Sequence, residues 1–375
     1  MGWITDEVRY DCIYYRGEKP CVYRLHCPGC IRYHPMTFRT IIFKLGAMGD
    51  VLRTTSILPS LEKQFRQKHN FVHVTWVVDP PSRPLLEENP CIHRLWTPDF
   101  ETLIRMHVEK FDLALCFDKE PRAIGLMGIC QAADKRGFTM GAEGNLHPAT
   151  PAAEEMLWMG LSDFYKFRRN RKSYQQLIHE MAGVPSAGEL YVLRFTEREK
   201  ETAAQRLTEL GATARPLIGL NTGAGSVFPG KRWAAAKFTE LAKRLLAKTP
   251  ATIVLLGGPE EVARNAAIVA ELGGRCVDLG TDNPLRRFAA MVARLDLLVC
   301  GDTMALHVGL ASKVPTVALF GPTPAHEVDL GGRGEIIARE PFGPGIMGQT
   351  DEASSVIQEI GVDEVEAACL RVLGK

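Results

Sequence analysis

No long apolar run interrupts this sequence. Nothing in its 375 residues approaches the ~20 consecutive apolar residues of a membrane span, so no spanning helix is expected. No apolar stretch follows Met1 as a secretory signal would require, and the expectation is a cytoplasmic protein. Charge of one sign is not in excess: 45 lysines and arginines stand against 44 aspartates and glutamates, a formal net charge of +1. That balance argues against a general nucleic-acid binder, and no nucleic-acid partner is expected. No short-period repeat is present, which excludes a solenoid.

What is present describes a folded protein. Hydrophobic residues make up 46% and charged residues 24% of the chain, the balance of a globular fold. The length exceeds one compact core and suits two domains. Short apolar runs alternate with helical patterns. Thr40–Leu45, Val72–Val78 and Phe111–Phe117 read as strands in the first half, with Val51–Phe65 and Ala123–Ala133 as helices. Pro216–Asn221, Thr252–Leu256, Cys276–Leu279, Asp296–Cys300 and Val314–Phe320 read as strands in the second. Between and after them, Ala235–Lys248, Glu261–Leu272, Leu285–Arg294 and Val362–Leu373 read as helices. Strands with apolar residues on both faces, alternating with helices, predict α/β structure with doubly wound parallel sheets. The expected division is an appended segment 1–36, a first Rossmann-like domain 37–185, a linker 186–213 and a second Rossmann-like domain 214–375.

Two loops occupy matched strand-to-helix positions: Lys44-Leu45-Gly46-Ala47-Met48-Gly49-Asp50, and Cys300-Gly301-Asp302-Thr303-Met304-Ala305-Leu306-His307. In an α/β sheet this is where ligands bind, past the carboxyl end of a strand and at a helix start. Asp50 reads either as a carboxylate facing a cleft or as a cap for Arg53. With a helix starting at Thr303, Asp302 is its N-cap, and Thr303 and His307 share a face. Asp302 then caps or meets a ligand, and His307 is either a core histidine or ligand-facing.

A third loop, Asn221-Thr222-Gly223-Ala224-Gly225-Ser226-Val227-Phe228-Pro229-Gly230-Lys231-Arg232, follows a strand. Its glycines allow close approach to a phosphate, and Lys231 supplies a point charge. It nearly spells a Walker A loop, but Arg232 stands where a magnesium-binding hydroxyl is required and Pro229 removes a donor. Glu260, after Gly257-Gly258-Pro259, reaches a ribose or base, or is a first-turn helix carboxylate. The run Lys166-Phe167-Arg168-Arg169-Asn170-Arg171-Lys172 is a solvated face, or a patch for a phosphorylated acceptor or anionic head groups.

Ten cysteines divide into two sets. Six are scattered among apolar runs as small hydrophobes. Cys12, Cys21, Cys27 and Cys30 are crowded together, and Cys27-Pro28-Gly29-Cys30 has the form of a metal knuckle. Four thiolates suit a closed structural site for zinc, or iron, with His26 and His34 as substitutes; two disulfides or a thiol redox pair are the alternatives. Such a site leaves no open position, so no catalytic metal is expected there.

Taken in order, KLGAMGDVLRTTSILPSL, GLNTGAGSVFPGKRWAAAKFTELA, VLLGGPEE and GDTMALHVGLASKVPTVALFGPTPAHE resemble glycosyltransferase family 9, the ADP-heptose lipopolysaccharide heptosyltransferases, over roughly residues 38–373. The resemblance implies a GT-B fold: two Rossmann-like domains facing a central cleft. It implies an inverting transfer of heptose from ADP-heptose to a lipopolysaccharide-core glycolipid, without an obligatory metal and with peripheral contact at the inner membrane. It implies Asp50 as general base, and Lys231 with Thr222, Gly223, Gly225 and Ser226 around the donor diphosphate. It further implies Glu260 on the nucleoside, and Asp302, Thr303 and His307 on the sugar and phosphates. Met304 stands where the family commonly has glycine. Arg168, Arg169, Arg171 and Lys172 are the candidate acceptor contacts. Alternatives are transfer to a protein hydroxyl, and a sugar-nucleotide sensor or scaffold without turnover.

Overall fold

The structure, a computed structural model, describes residues 8–17, 21–225, 228–340 and 351–374. Ser226 lies outside them. The first half contains β1 (Phe38–Phe43), α1 (Met48–Thr54), α2 (Ile57–Arg66), β2 (Val72–Val77), β3 (Arg94–Trp96), α3 (Phe100–Val108) and β4 (Lys110–Cys116). It continues with α4 (Pro121–Ile129), β5 (Gln131–Met140), β6 (Leu146–Pro148), α5 (Pro151–Leu161) and α6 (Tyr174–Ala182). The second half contains α7 (Glu197–Glu209), β7 (Leu217–Asn221), α8 (Ala235–Lys248), β8 (Thr252–Leu256), α9 (Val262–Leu272) and β9 (Cys276–Asp278). After these come α10 (Leu285–Val292), β10 (Leu297–Gly301), α11 (Met304–Ala311), β11 (Thr316–Phe320), β12 (Gly334–Ala338) and α12 (Val362–Val372).

Each half builds one six-stranded sheet, in the orders β3-β2-β1-β4-β5-β6 and β12-β11-β10-β7-β8-β9. Counted within its own half, each has the Rossmann order 3-2-1-4-5-6. All pairings are parallel except β5–β6. Strands β2, β7, β8, β10 and β11 are buried along their whole length, which is why they read as unbroken apolar runs.

Strand order reverses between β1 and β4, and between β7 and β10. At such a switch point the flanking loops diverge and leave a crevice. The loops and helix starts that follow these strands hold Asp50, Asp118, Gly223 and Asp302. The two halves meet there: Leu52 of α1 and Leu85 are buried in the second half's core cluster.

Three local features depart from the sequence reading. The single helix expected over Val51–Phe65 is divided at Thr55-Ser56. The Thr55 hydroxyl donates to the Leu52 carbonyl at 2.6 Å and accepts the Val192 amide at 2.7 Å, offering the backbone an alternative to continued helix. The helix expected to run to Ala133 ends at Ile129, because residues from Gln131 pair with β4. The 186–213 stretch holds α7, whose start is fixed by a reciprocal Thr196–Glu199 capping box. Arg286 of α10 pairs with Glu199 and donates to the carbonyls of Pro84, 2.9 Å, and Glu87, 3.2 Å, so one guanidinium ties α7 and both halves together.

Candidate active site in the interdomain cleft

The site starts with the backbone of β1. Trp76, wholly buried in β2, donates its indole N–H to the Lys44 carbonyl at 3.0 Å. Asp118, just past β4, accepts the amides of Leu45 and Gly46 at 2.8 and 3.3 Å and lies 3.4 Å from the Lys44 ammonium. These contacts fix the loop that delivers Asp50 into the first turn of α1. There Asp50 pairs with Arg53 at 2.8 Å and stands 3.8 Å from Lys44, with its side chain 37% exposed. Burial alone would lift the Asp50 carboxyl; Arg53 and Lys44 outweigh it and hold it below the ordinary carboxylate range. Arg53 in turn lies over the Tyr174 ring at 3.5 Å. The sequence left open whether Asp50 serves Arg53 or faces a cleft; it does both.

Helix α1 lies directly on α11. A Cβ at Gly49 would stand 2.5 Å from Cδ2 of His307, so glycine is what lets the two helices approach. His307 is buried, its Nδ1 without a hydrogen-bond partner among the described residues. Burial, with Arg53 adding, lowers its pKa to about 4, which Asp302 and Asp50 only partly oppose. It is therefore neutral near pH 7, and its 3.8 Å approach to Asp302 is not an ion pair there. Helix α11 starts at Met304 with Thr303 as N-cap, one residue later than expected. Asp302 instead anchors Lys231 at 2.8 Å. Lys231 offsets the burial cost of that carboxyl and keeps its pKa very low.

Beside these groups a cavity of about 460 Å³ is lined by Met48 and Pro81 from the first half. From the second half come Gly223, Gly225, Gly258, Glu260, Glu261, Thr303 and Met304, among others. Thr222 does not line it; its hydroxyl donates to Asn265 at 2.6 Å. Glu260 lines the rim and pairs with Arg232 at 3.0 Å. Arg232 also donates to the Gly225 carbonyl at 2.7 Å, so the residue that breaks the Walker pattern clamps the glycine loop. Glu261, read in the sequence only as the start of a helix, is 4% exposed, and its Oε1 has no hydrogen-bond partner among the described residues. A side chain at Gly223 would collide with the Glu261 carboxylate.

A second cavity, of about 270 Å³, has Asp50 itself in its wall. Lys44, Asp50, Arg53, Asp118, Lys119, Lys166, Tyr174 and Glu327 contribute to its wall. Lys119 donates to the Met156 carbonyl at 2.7 Å and makes no ion pair among the described residues. Burial, and then the neighbouring Lys166, lower its pKa to about 8. Lys119 follows Asp118 at a switch point, a signal the sequence offered and the reading passed over. The expected acceptor run is placed differently. Arg168 pairs with Glu340 at 2.5 Å, and Lys172 with Glu155 and Glu180 at 2.8 Å each. Arg169 and Arg171 are exposed, and none of these four lines the cavity.

The four crowded cysteines are free and half-buried, and all line one small cavity in the segment before β1. Among the described residues no group of three or more His, Cys, Asp or Glu is arranged to hold a metal ion. The other six cysteines are also free, five of them buried. No helix among the described residues is long and apolar enough to cross a membrane.

Two Rossmann-like halves with a ligand-sized cavity at their facing switch points define the GT-B architecture. Residues 167–340, just under half of the chain, match the model of glycosyltransferase family 9 (heptosyltransferase). Over 115 residues the chain is 31% identical to lipopolysaccharide heptosyltransferase 2 of Salmonella typhimurium, covering 30% of this chain and 33% of that protein. The matched stretches span between a third and about half the length of the curated relatives. The fold is similar to a family 9 glycosyltransferase of Veillonella parvula, with 21% identity, TM-score 0.69 and 90% and 97% of the two chains covered. It is also similar to an E. coli heptosyltransferase solved with ADP, with 15% identity, TM-score 0.60 and 89% and 100% covered.

Proposed function

We propose that this chain is an inverting heptosyltransferase that moves heptose from ADP-heptose to an anionic glycan of the lipopolysaccharide-core type. The observation that carries this reading is the position of Asp50. Its helix, packed on α11, reaches both cavities: Met48 lines the glycine-walled one and Asp50 itself the lysine-rich one. The names of the matched relatives support heptose as the sugar, and the ADP bound by a solved structure of the same fold supports the nucleotide.

In this reading the donor's nucleoside lies along Gly257–Glu261, with Glu261 on a sugar hydroxyl and Met304 beside Met48. The diphosphate lies against Lys231 and the first amides of α11. These groups offset charge that builds on the departing diphosphate, and the step needs no metal. Asp302 holds Lys231 in place. The acceptor enters from the lysine-rich side, and Asp50 takes the proton of its attacking hydroxyl as that oxygen bonds to the anomeric carbon. Attack from the face opposite the leaving group inverts the sugar. A cationic wall with Lys119 unpaired favours an acidic glycan over a neutral protein hydroxyl.

The same side of the molecule supports a peripheral position on a membrane. Trp158, Leu161 and Phe164 are 46%, 66% and 70% exposed, and Arg169 and Arg171 are exposed beside them. Apolar side chains next to arginines suit an anionic lipid surface, and Met156, Met159 and Gly160 of the same α5 line the acceptor cavity.

The reading is tested by incubating the protein with ADP-heptose and a heptose-deficient lipopolysaccharide core. Release of ADP with a mass gain of one heptose on the core supports it. ADP-heptose left intact while other nucleotide sugars are consumed would overturn the donor assignment.

A further inference from the structure

We propose that Cys12, Cys21, Cys27 and Cys30 bind one divalent metal ion through four thiolates, and that this ion fixes the fold of the segment before β1. All four cysteines line a single cavity of about 20 Å³, and all four are free thiols. Each also opens the same kind of turn. The amide three residues on donates back to the cysteine's own carbonyl: Tyr15 to Cys12 at 3.0 Å, Arg24 to Cys21 at 2.9 Å, Cys30 to Cys27 at 3.1 Å and Tyr33 to Cys30 at 3.2 Å. Gly29 has φ +66°, as the Cys27–Cys30 turn requires. The Leu25 amide donates to the Cys21 sulfur at 3.4 Å. Four tight turns, one of them with an amide on sulfur, suit a chain that gathers thiolates around an ion.

Burial in this segment runs opposite to the hydrophobic pattern. Ile31 is 90% exposed, Tyr10 55%, Val22 48% and Leu25 46%, while the cysteines are drawn in. Apart from the isolated Cys12–Pro35 bridge, residues 8–36 contain no helix or strand among those described. A segment this short, without a core of its own, needs a cross-link to stay folded. The thiols share the cavity without standing in a metal-ready arrangement, so binding must turn them inward and release their protons. Four thiolates leave a divalent site with a formal charge of −2. Arg9 and Arg32 also line the cavity, held over Tyr33 and Tyr23 at 5.1 and 5.2 Å, and supply the matching positive charge.

The full-length protein, purified in reductant, is expected to carry about one zinc or iron per chain by elemental analysis; iron would give colour, zinc none. Refilling with cobalt(II) should give the intense near-ultraviolet charge-transfer band of a thiolate-bound tetrahedral ion. Cys27→Ser should lose the metal while ADP binding persists, and Cys91→Ser should keep it. If Cys27→Ser does not fold, the unmutated protein still decides. Chelation should expose Cys12, Cys21, Cys27 and Cys30 to alkylation and residues 8–36 to protease. No metal after loading with zinc in reductant, metal retained by a folded Cys27→Ser, or thiols equally reactive before and after chelation would overturn the site. Heptosyl transfer is read separately, so failure of either proposal leaves the other standing.

Discussion

Asp50 is a carboxylate held in its charged form by two cations, and that has a kinetic signature. The base is lost only as pH falls through its lowered pKa, so kcat/KM should stay flat down through mildly acidic pH. Arg53→Met removes the nearer cation and relieves the depression. Its acid limb should therefore move to higher pH, read from kcat/KM profiles of the two proteins; an unmoved limb would separate Arg53 from the base. Lys119 behaves in the opposite sense. Its ammonium is lost as pH rises through about 8, so the acceptor KM should climb between about pH 7 and pH 9. Lys119→Met should show a raised KM without that climb and an unchanged donor KM. Equal pH dependence in both proteins would count against Lys119 as an acceptor contact. Asp50 and Lys231 were legible in the sequence because glycine-rich loops after apolar runs mark them. Glu261, Tyr174 and Asp118 were not, because their roles come from contacts with residues far away in the chain. The basic run shows the same limit: its charges are visible in the sequence, but the carboxylates of Glu155, Glu180 and Glu340 that pair with Arg168 and Lys172 are brought to it only by folding.

At the scale of elements, the account depends on α1 lying against α11. Most strands and helices were legible from apolar runs and their spacing; Thr252–Leu256 and Ala235–Lys248 have the expected bounds. Short pieces were not. The three-residue β3 and β6 have too few residues to show a period. The late start of α11 follows from Asp302 turning to Lys231 instead of capping. Nothing in the sequence of α1 alone indicates that Gly49 is a contact point. Gly49→Ala places a methyl against the buried His307 ring and should cost roughly 1–3 kcal/mol, seen as a lower urea midpoint. It should also lower kcat by moving the loop that carries Asp50 away from the loop that carries Asp302. A variant as stable and active as the unmutated protein would mean the helices have slack that the structure does not show.

At the scale of the molecule, two sheets of the same strand order put their switch-point loops face to face, and Arg286 ties the two halves together. The doubly wound class and the two-domain division could be read from the alternation of strands and helices. The facing of the two loops could not, since it is a property of how the halves dock. The exposed Trp158-Leu161-Phe164 edge with Arg169 and Arg171 should bring the protein to vesicles containing anionic lipid. Trp158→Ala with Phe164→Ala should reduce co-sedimentation several-fold without changing ADP affinity. Equal binding to purely zwitterionic vesicles would remove charge from that account.

The central claim is that Asp50 takes the acceptor's proton while the donor is held mainly by the second half. Its most direct test is Asp50→Asn, measured for ADP affinity and for heptosyl transfer on the same preparation. We expect ADP affinity within about twofold of the unmutated protein and kcat lower by about 10²–10⁴-fold, the usual worth of a general base. Turnover that survives the substitution would contradict the claim.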